Sequence, residues 1–303
     1  MLAHGAGLTQ RANPWAFEAH PEVWLLVGGI VALSLYAVRR IGPLVVAPGQ
    51  PVVTVAQKRA FIAGIGLLWL AADWPIHDLA ENYLYSVHMF QHLIIAFIVP
   101  PLLLLAMPEW LARLLFFEGG LSSKVLRFLT KPVVAALLFN AFQLLTHWGG
   151  VVKLSTENGP FHYSIHLGVF FTALLMWFAV LGPLKELHLS EPAKMLYLFA
   201  MSIISTVPAG WLAMADKVVY PSYENDARVL GLSPTTDQQL AGAIMKVLSG
   251  FYLWTLIAIR FFRFTGGRRD ADIAARQARR LTYEDVERAF DESEPAPREQ
   301  QTH

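Results

Sequence analysis

Residues Asp73–Pro108 read DWPIHDLAENYLYSVHMFQHLIIAFIVPPLLLLAMP, and the reading of this stretch decides the fold. It opens acidic and aromatic and closes as an apolar run. Tyr83–Met107 is long enough to cross a bilayer as a helix, which takes roughly 20 residues. His88 and His92 stand in its first half. Four apart on a helix, they share one face, one turn from each other. Imidazoles inside a span are costly unless they find partners, so this helix is expected to supply half of a metal or cofactor site.

Working outward, the whole chain is apolar. Its 303 residues are 55% hydrophobic and only 16% charged, where a soluble domain has about a quarter charged. A polytopic membrane protein is expected, all-α, with the lipid bilayer as its surroundings. The net charge of +1 says little about partners, and no nucleic acid partner is expected. Cysteine is absent, which excludes disulfides, thiolate metal sites and thiol nucleophiles. Residues 1–20 have no basic segment followed by an apolar core, so no cleavable signal peptide is expected.

Seven apolar segments are visible: Glu22–Val38, Ala60–Ala72, Tyr83–Met107, Pro132–Trp148, Phe161–Leu181, Ala193–Met214 and Leu240–Phe262. The second is short and can extend to Val52–Val55 or through Trp74-Pro75-Ile76. Basic residues concentrate in alternate loops: Arg39, Arg40, Lys58 and Arg59; Arg113, Lys124, Arg127 and Lys131; Lys185 and Lys194; then Arg260, Arg263, Arg268 and Arg269. The loops between hold only Lys153, Lys217 and Arg228. The positive-inside rule then predicts an outside N-terminus and a cytoplasmic C-terminus, as an odd span number requires. The expected organisation is an extracytoplasmic segment 1–21, a seven-helix membrane domain 22–264 and a polar cytoplasmic tail 265–303. Pro108–Leu129 reads as an interfacial amphipathic piece, and Pro100-Pro101 as a kink in the third span. In the tail, Asp270–Phe290 can form a charged helix, Thr282 and Asp285 are spaced like a capping box, and the last residues are expected to be disordered. Lys246, inside the seventh span, is expected to snorkel outward.

On that topology His4, His20, His77, His88, His92, His147, His162 and His166 fall outside or in the outer part of a span. Only His188 and His303 fall inside. Spans three and five run the same way, and each opens with H-x-x-x-H, His88/His92 and His162/His166. Two parallel helices can thus bring two histidine pairs to one depth. His77 precedes span three and His147 closes span four at the same level. Neutral imidazole suits copper, zinc, iron and nickel, and an i, i+4 pair offers two ligands to one ion. Met89 can add a soft ligand for Cu(I). Asp73, Asp78 and Glu157 are possible acceptors fixing the imidazole tautomers. Asp237, just before span seven, suits a helix N-terminus or a supporting role at the site. His4, His20 and His188 read as ordinary interfacial polar residues.

Three blocks carry a resemblance to a known family: SVHMFQHL with VPPLLLLAMP (Ser86–Pro108), FHYSIHLGVFFTALLMW (Phe161–Trp177) and DQQLAGAIMK (Asp237–Lys246). Together they resemble the CtaG family of membrane-embedded cytochrome c oxidase assembly factors, over roughly Ala56–Phe264. The chain departs from the family pattern at Ile165, where an acidic residue is usual, and at Lys246, where an aromatic one is. The resemblance implies a non-enzymatic role in maturing haem-copper oxidase in the bacterial cytoplasmic membrane. Its implied partner is an oxidase subunit, and its implied cargo is copper, held by His88, His92, His162 and His166 with His77 and His147 as further ligands. The alternatives are a redox protein with haem between paired histidines and a copper transporter.

Overall fold

Thr54 caps the second of the long apolar helices, and its local chemistry shows why the helix begins where it does. Its hydroxyl accepts from the Gln57 amide at 3.2 Å, and the Gln57 side chain accepts from the Thr54 amide at 2.8 Å. This reciprocal cap satisfies two N-terminal donors. The second span is therefore Val55–Ala72, 18 residues rather than the shorter Ala60–Ala72.

The computed structural model describes residues 13–204, 206–224 and 229–291. His4, Arg228, His303 and the expected disordered end lie outside them, as does the side chain of Thr282 with its expected capping box. The described residues form helices and connecting turns, with no strand among them. In chain order the main helices are α1 (Pro21–Val45, containing a π-turn at Ala37–Ile41), α2 (Val55–Ala72), α3 (Ile76–Asn82) and α4 (Tyr85–Ala106). Then follow α5 (Glu109–Phe117), α6 (Leu121–Leu129), α7 (Pro132–Thr146), α8 (Gly149–Glu157) and α9 (Gly159–Leu181). The last are α10 (Glu191–Ile204), α11 (Thr206–Ala213) and α12 (Pro234–Asp291). The chain divides into two units, Met1–Thr255 and Leu256–His303. In the second, the described side chains from Thr265 onward are exposed on a helix, as its polar composition dictates.

Among the described residues, six helices are long and apolar enough to cross a membrane, or seven if the bent pair α6–α7 counts as one. The fourth expected span explains the ambiguity. It folds as α7, only 15 residues, or about 22 Å at 1.5 Å per residue, short of a roughly 30 Å hydrocarbon core. Only with α6, bent from it by 74°, does it reach spanning length. The segment expected to lie flat at the interface thus contains half of that pair.

The third expected span is the most buried of the candidate spans, and its irregularity is specific. Pro100 and Pro101 have no N–H to return to Ala96 and Phe97. α4 widens into a π-turn at Ile94–Ile98, one residue before the prolines. The indole of fully buried Trp177 on α9 donates to the Ala96 carbonyl at 2.9 Å. An apolar interior offers no water for that carbonyl, so the indole replaces the missing backbone donor and ties α9 to α4. The two helices that carry the histidine pairs are thereby packed side by side.

Lys246 on α12 is exposed, and its ammonium donates to the Thr206 hydroxyl of α11.

Candidate metal centre

α4 begins at Tyr85, and the group that starts it comes from α12. The Asp237 carboxylate, 2% exposed, accepts from the Tyr85 amide at 2.7 Å, from the Ser86 amide at 3.1 Å and from the Ser86 hydroxyl. It acts as an N-cap supplied from another helix, with its negative charge at the positive end of α4. The next residue, Gln238, accepts from the Val219 and Tyr220 amides at 2.9 and 3.0 Å and donates to the Tyr220 carbonyl at 2.9 Å. The Tyr220 hydroxyl in turn donates to the His147 carbonyl at 2.8 Å. Asp237-Gln238 therefore fixes both the first turn of α4 and the end of α7.

With α4 so placed, His88 and His92 occupy its fourth and eighth positions. His162 and His166 occupy the same positions on α9, whose start is capped by Asn158 accepting from the Phe161 amide at 3.0 Å. The matching registers put the four rings in contact. Centroids are 4.5 Å apart for His88–His92, 4.4 Å for His162–His166, 4.8 Å for His92–His166 and 5.5 Å for both His88–His162 and His88–His166. His77, on α3, joins at 5.6 Å from His162 and 6.2 Å from His166.

Their nitrogens are short of partners. Among the described residues, His88 Nδ1, both nitrogens of His92, His147 Nε2, His162 Nε2 and His166 Nε2 are buried with no hydrogen bond. One tautomer follows from the group opposite. His147 Nδ1 lies 2.6 Å from the Gln143 carbonyl, which can only accept, so Nδ1 carries the proton and Nε2 keeps its lone pair. His162 Nδ1 faces the Ser155 hydroxyl at 2.9 Å, a group that can donate or accept, and its Nε2 has no partner. Two groups have ligand atoms close enough to share an ion, within 4.8 Å of one another: His88, His92 and His166, and His77, Glu81 and His162.

His147 stands slightly apart. It lines a cavity of about 30 Å³ with His92, Met89, Gln143, Met245 and Ser249. A neighbouring cavity of about 20 Å³ is bordered by Tyr85, His88, Met89, His92 and Ile165. Met89 thus borders both cavities while packing against Tyr85 and Leu212.

The acidic residues distribute differently from the simplest reading of the sequence. Asp73 accepts from the indoles of Trp24 and Trp69 at 2.8 and 2.6 Å and from the Trp74 amide at 2.8 Å. Burial alone would raise its carboxyl, but these donors hold it below its ordinary value. Glu157 is exposed and lies 3.8 Å from Lys153. Asp78 contacts His20, not a member of the cluster pairs, at 3.2 Å.

His20, whose sequence setting looks ordinary, is 2% exposed and stacks edge-on to His77 at 4.9 Å. Burial disfavours its charged form, yet Asp78 and Glu22 outweigh this and raise it to about 9. It lies between two carboxylates, 3.3 Å from Glu22 and 3.2 Å from Asp78. Glu81, Gln91 and Tyr163 also escape a search for histidine pairs. Gln91 is fully buried and lies 3.2 Å from His77 Nδ1. Tyr163 donates to Glu22 at 2.6 Å and stacks on His77. Glu81 had a signal: His77-x-x-x-Glu81 repeats the i, i+4 spacing of the histidine pairs. His188 donates from Nε2 to the Gly182 carbonyl at 2.6 Å, away from the cluster.

Several apolar spans around a buried histidine cluster define a multi-pass helical membrane protein. The model of the cytochrome c oxidase caa3 assembly factor family (Caa3_CtaG) matches residues 32–266, and the chain belongs to that family. No curated protein and no solved structure matches it. Membership makes it an oxidase assembly factor, with a membrane setting and an oxidase partner.

Proposed function

We propose that this assembly factor binds copper through the imidazoles of α4 and α9 and hands it to a nascent oxidase subunit. The observation that carries the reading is the set of buried, unpartnered ring nitrogens on His88, His92, His162, His166 and His147. Each unsatisfied buried group costs about 1–3 kcal/mol. Several together approach the whole folding stability of an ordinary domain. Coordination through one lone pair per ring removes most of that cost.

The donor set favours copper. Imidazoles suit several transition metals, but neutral rings with the thioethers of Met89 and Met245 beside them suit Cu(I) best. A haem-copper oxidase supplies the need for it. Haem as the ligand is disfavoured by packing: rings 4.4 to 5.5 Å apart leave no slot for a porphyrin, and the adjoining cavities of about 20 and 30 Å³ suit a water or an ion.

In this reading the protein lies in the bacterial cytoplasmic membrane with its N-terminus outside, following the basic loops. The histidine cluster then opens toward the outer face, where an oxidase copper centre would receive its ion. The test is metal analysis and an optical spectrum of the purified full-length protein, with assay of the oxidase from a strain lacking it. Bound copper, no Soret band and an oxidase deficient in its buried copper are expected. Protein that cannot bind copper, or one that purifies with haem, overturns the proposal.

A further inference from the structure

We infer that a second metal site of different chemistry, made of His77, Glu81 and His162, stands beside the three-histidine group His88, His92 and His166. The inference rests on the copper-handling reading and adds to it a carboxylate ligand, Glu81, and a second ion.

The two groups are built alike. Each takes an i, i+4 pair from one short stretch of helix, His77/Glu81 from α3 and His88/His92 from α4. Each takes one more ligand from α9, His162 for the first and His166 for the second. In both, the ligand atoms lie within 4.8 Å of one another. Glu81 Oε2 is 3.1 Å from His77 Nε2. His162 is 1% exposed, and its Nδ1 is engaged by Ser155, so the unpartnered Nε2 is the atom turned to the ion.

Their chemistry differs. The site at His92 offers three neutral rings and no carboxylate. The site at His77 adds a carboxylate, with the Tyr163 hydroxyl 3.5 Å from His77 Nε2 and Glu22 beyond it. Two imidazoles and a carboxylate suit a divalent ion such as Co(II) or Zn(II), whereas three imidazoles suit Cu(I). Glu81 also contributes the negative charge that lets two cations sit close together. Position differs as well. The Glu81 side chain is 25% exposed, while His92 and His166 lie one helical turn, about 6 Å, deeper than His88 and His162. The carboxylate site is the one an arriving ion meets first.

Gln91 links the sites. Its amide nitrogen donates to the Ala71 carbonyl at 2.7 Å and to His77 Nδ1 at 3.2 Å, leaving Oε1 unpartnered. His77 therefore carries its proton on Nε2, facing Glu81. An ion arriving at Nε2 moves that proton to Nδ1, and the Gln91 amide turns so that Oε1 accepts it, giving up its bond to the Ala71 carbonyl. Gln91 sits next to His92 on α4, so loading of the outer site is felt at the inner one.

The test uses full-length protein in detergent, titrated separately with Co(II) and with Cu(I) held by a competing chelator. Wild type is expected to bind both ions together, with the visible absorption of Co(II) in a nitrogen and oxygen site. Glu81→Gln, nearly isosteric, is expected to weaken Co(II) at least about tenfold, the lower bound for disturbing even an indirect metal contact, and to leave Cu(I) unchanged. His92→Ala is expected to do the reverse, and its retained Co(II) spectrum shows that the variant is folded. Equal loss of both ions in either variant means one shared site and overturns the inference while leaving copper binding intact. Co(II) affinity unaffected by Glu81→Gln also overturns it. Failure of wild type to bind Cu(I) overturns the copper reading itself.

Discussion

Asp237→Asn tests whether the cap supplied by α12 holds the histidine helix. In wild type the carboxylate accepts from two amides and a hydroxyl at the start of α4, at 2.7 Å from the Tyr85 nitrogen and 3.1 Å from the Ser86 nitrogen. Asparagine keeps one acceptor oxygen. If that oxygen serves Ser86, the amide group of the new side chain points its own N–H at the Tyr85 N–H. Charge-assisted bonds worth about 1.5–3 kcal/mol become neutral ones worth about 0.5–1.5, and one buried donor is left unsatisfied at about 1–3 kcal/mol. The expected loss is about 2–4 kcal/mol of stability, read as a lower midpoint in SDS-titration unfolding of the detergent-purified protein. Ser86→Ala removes only the hydroxyl contact and is expected to lose about 1 kcal/mol. Because His88 lies one turn below the cap, copper affinity should fall with Asp237→Asn although Asp237 touches no histidine nitrogen. A variant within about 0.5 kcal/mol of wild type, the ordinary spread for surface changes, with unaltered copper affinity would refute the assignment of Asp237 as the anchor of α4.

Three further outcomes are expected. His92→Ala should keep normal abundance, since it removes two unpartnered buried nitrogens, but lose copper and leave the cell's oxidase without its buried copper. Normal oxidase activity under copper-limited growth in a strain with this as the sole copy would refute copper delivery. Trp177→Phe keeps most of the ring volume but strips the Ala96 carbonyl of its donor, and should cost about 1–3 kcal/mol in the same unfolding assay; no measurable change would show that another group satisfies the π-turn. A reporter fused after Arg269 should be active only if it functions in the cytoplasm; activity confined to the outer side would reverse the topology.

The class of the fold was legible in the sequence because span length and low charge are properties of local stretches. A helix in lipid must satisfy its own backbone, so apolar runs such as Phe161–Leu181 translate almost directly into α9. The histidine pairs were legible for the same reason: H-x-x-x-H on a helix fixes one face whatever surrounds it. The fourth span was not, because Pro132–Trp148 is apolar but short, and its supplement α6 is separated by a 74° bend that composition does not encode. Nor was the outcome at Pro100-Pro101. The prolines announce a broken ladder, but only the approach of Trp177, 81 residues from Ala96, decides where the missing donor comes from.

The site divides in the same way. Sequence by itself determined that His88/His92 and His162/His166 form two faces on helices of like direction, and that thiol and disulfide chemistry is absent. Tertiary structure decided that those faces meet, that His77 and Glu81 join on one side, and that His147 stands at a separate cavity with Met89. It also moved Asp73 to a tryptophan pair and gave Asp237 the cap of α4 across 152 residues. The physical reason is range. Helical periodicity acts over three or four residues, whereas a ligand set, a borrowed cap and a buried carboxylate depend on which distant atoms packing brings within about 3 Å.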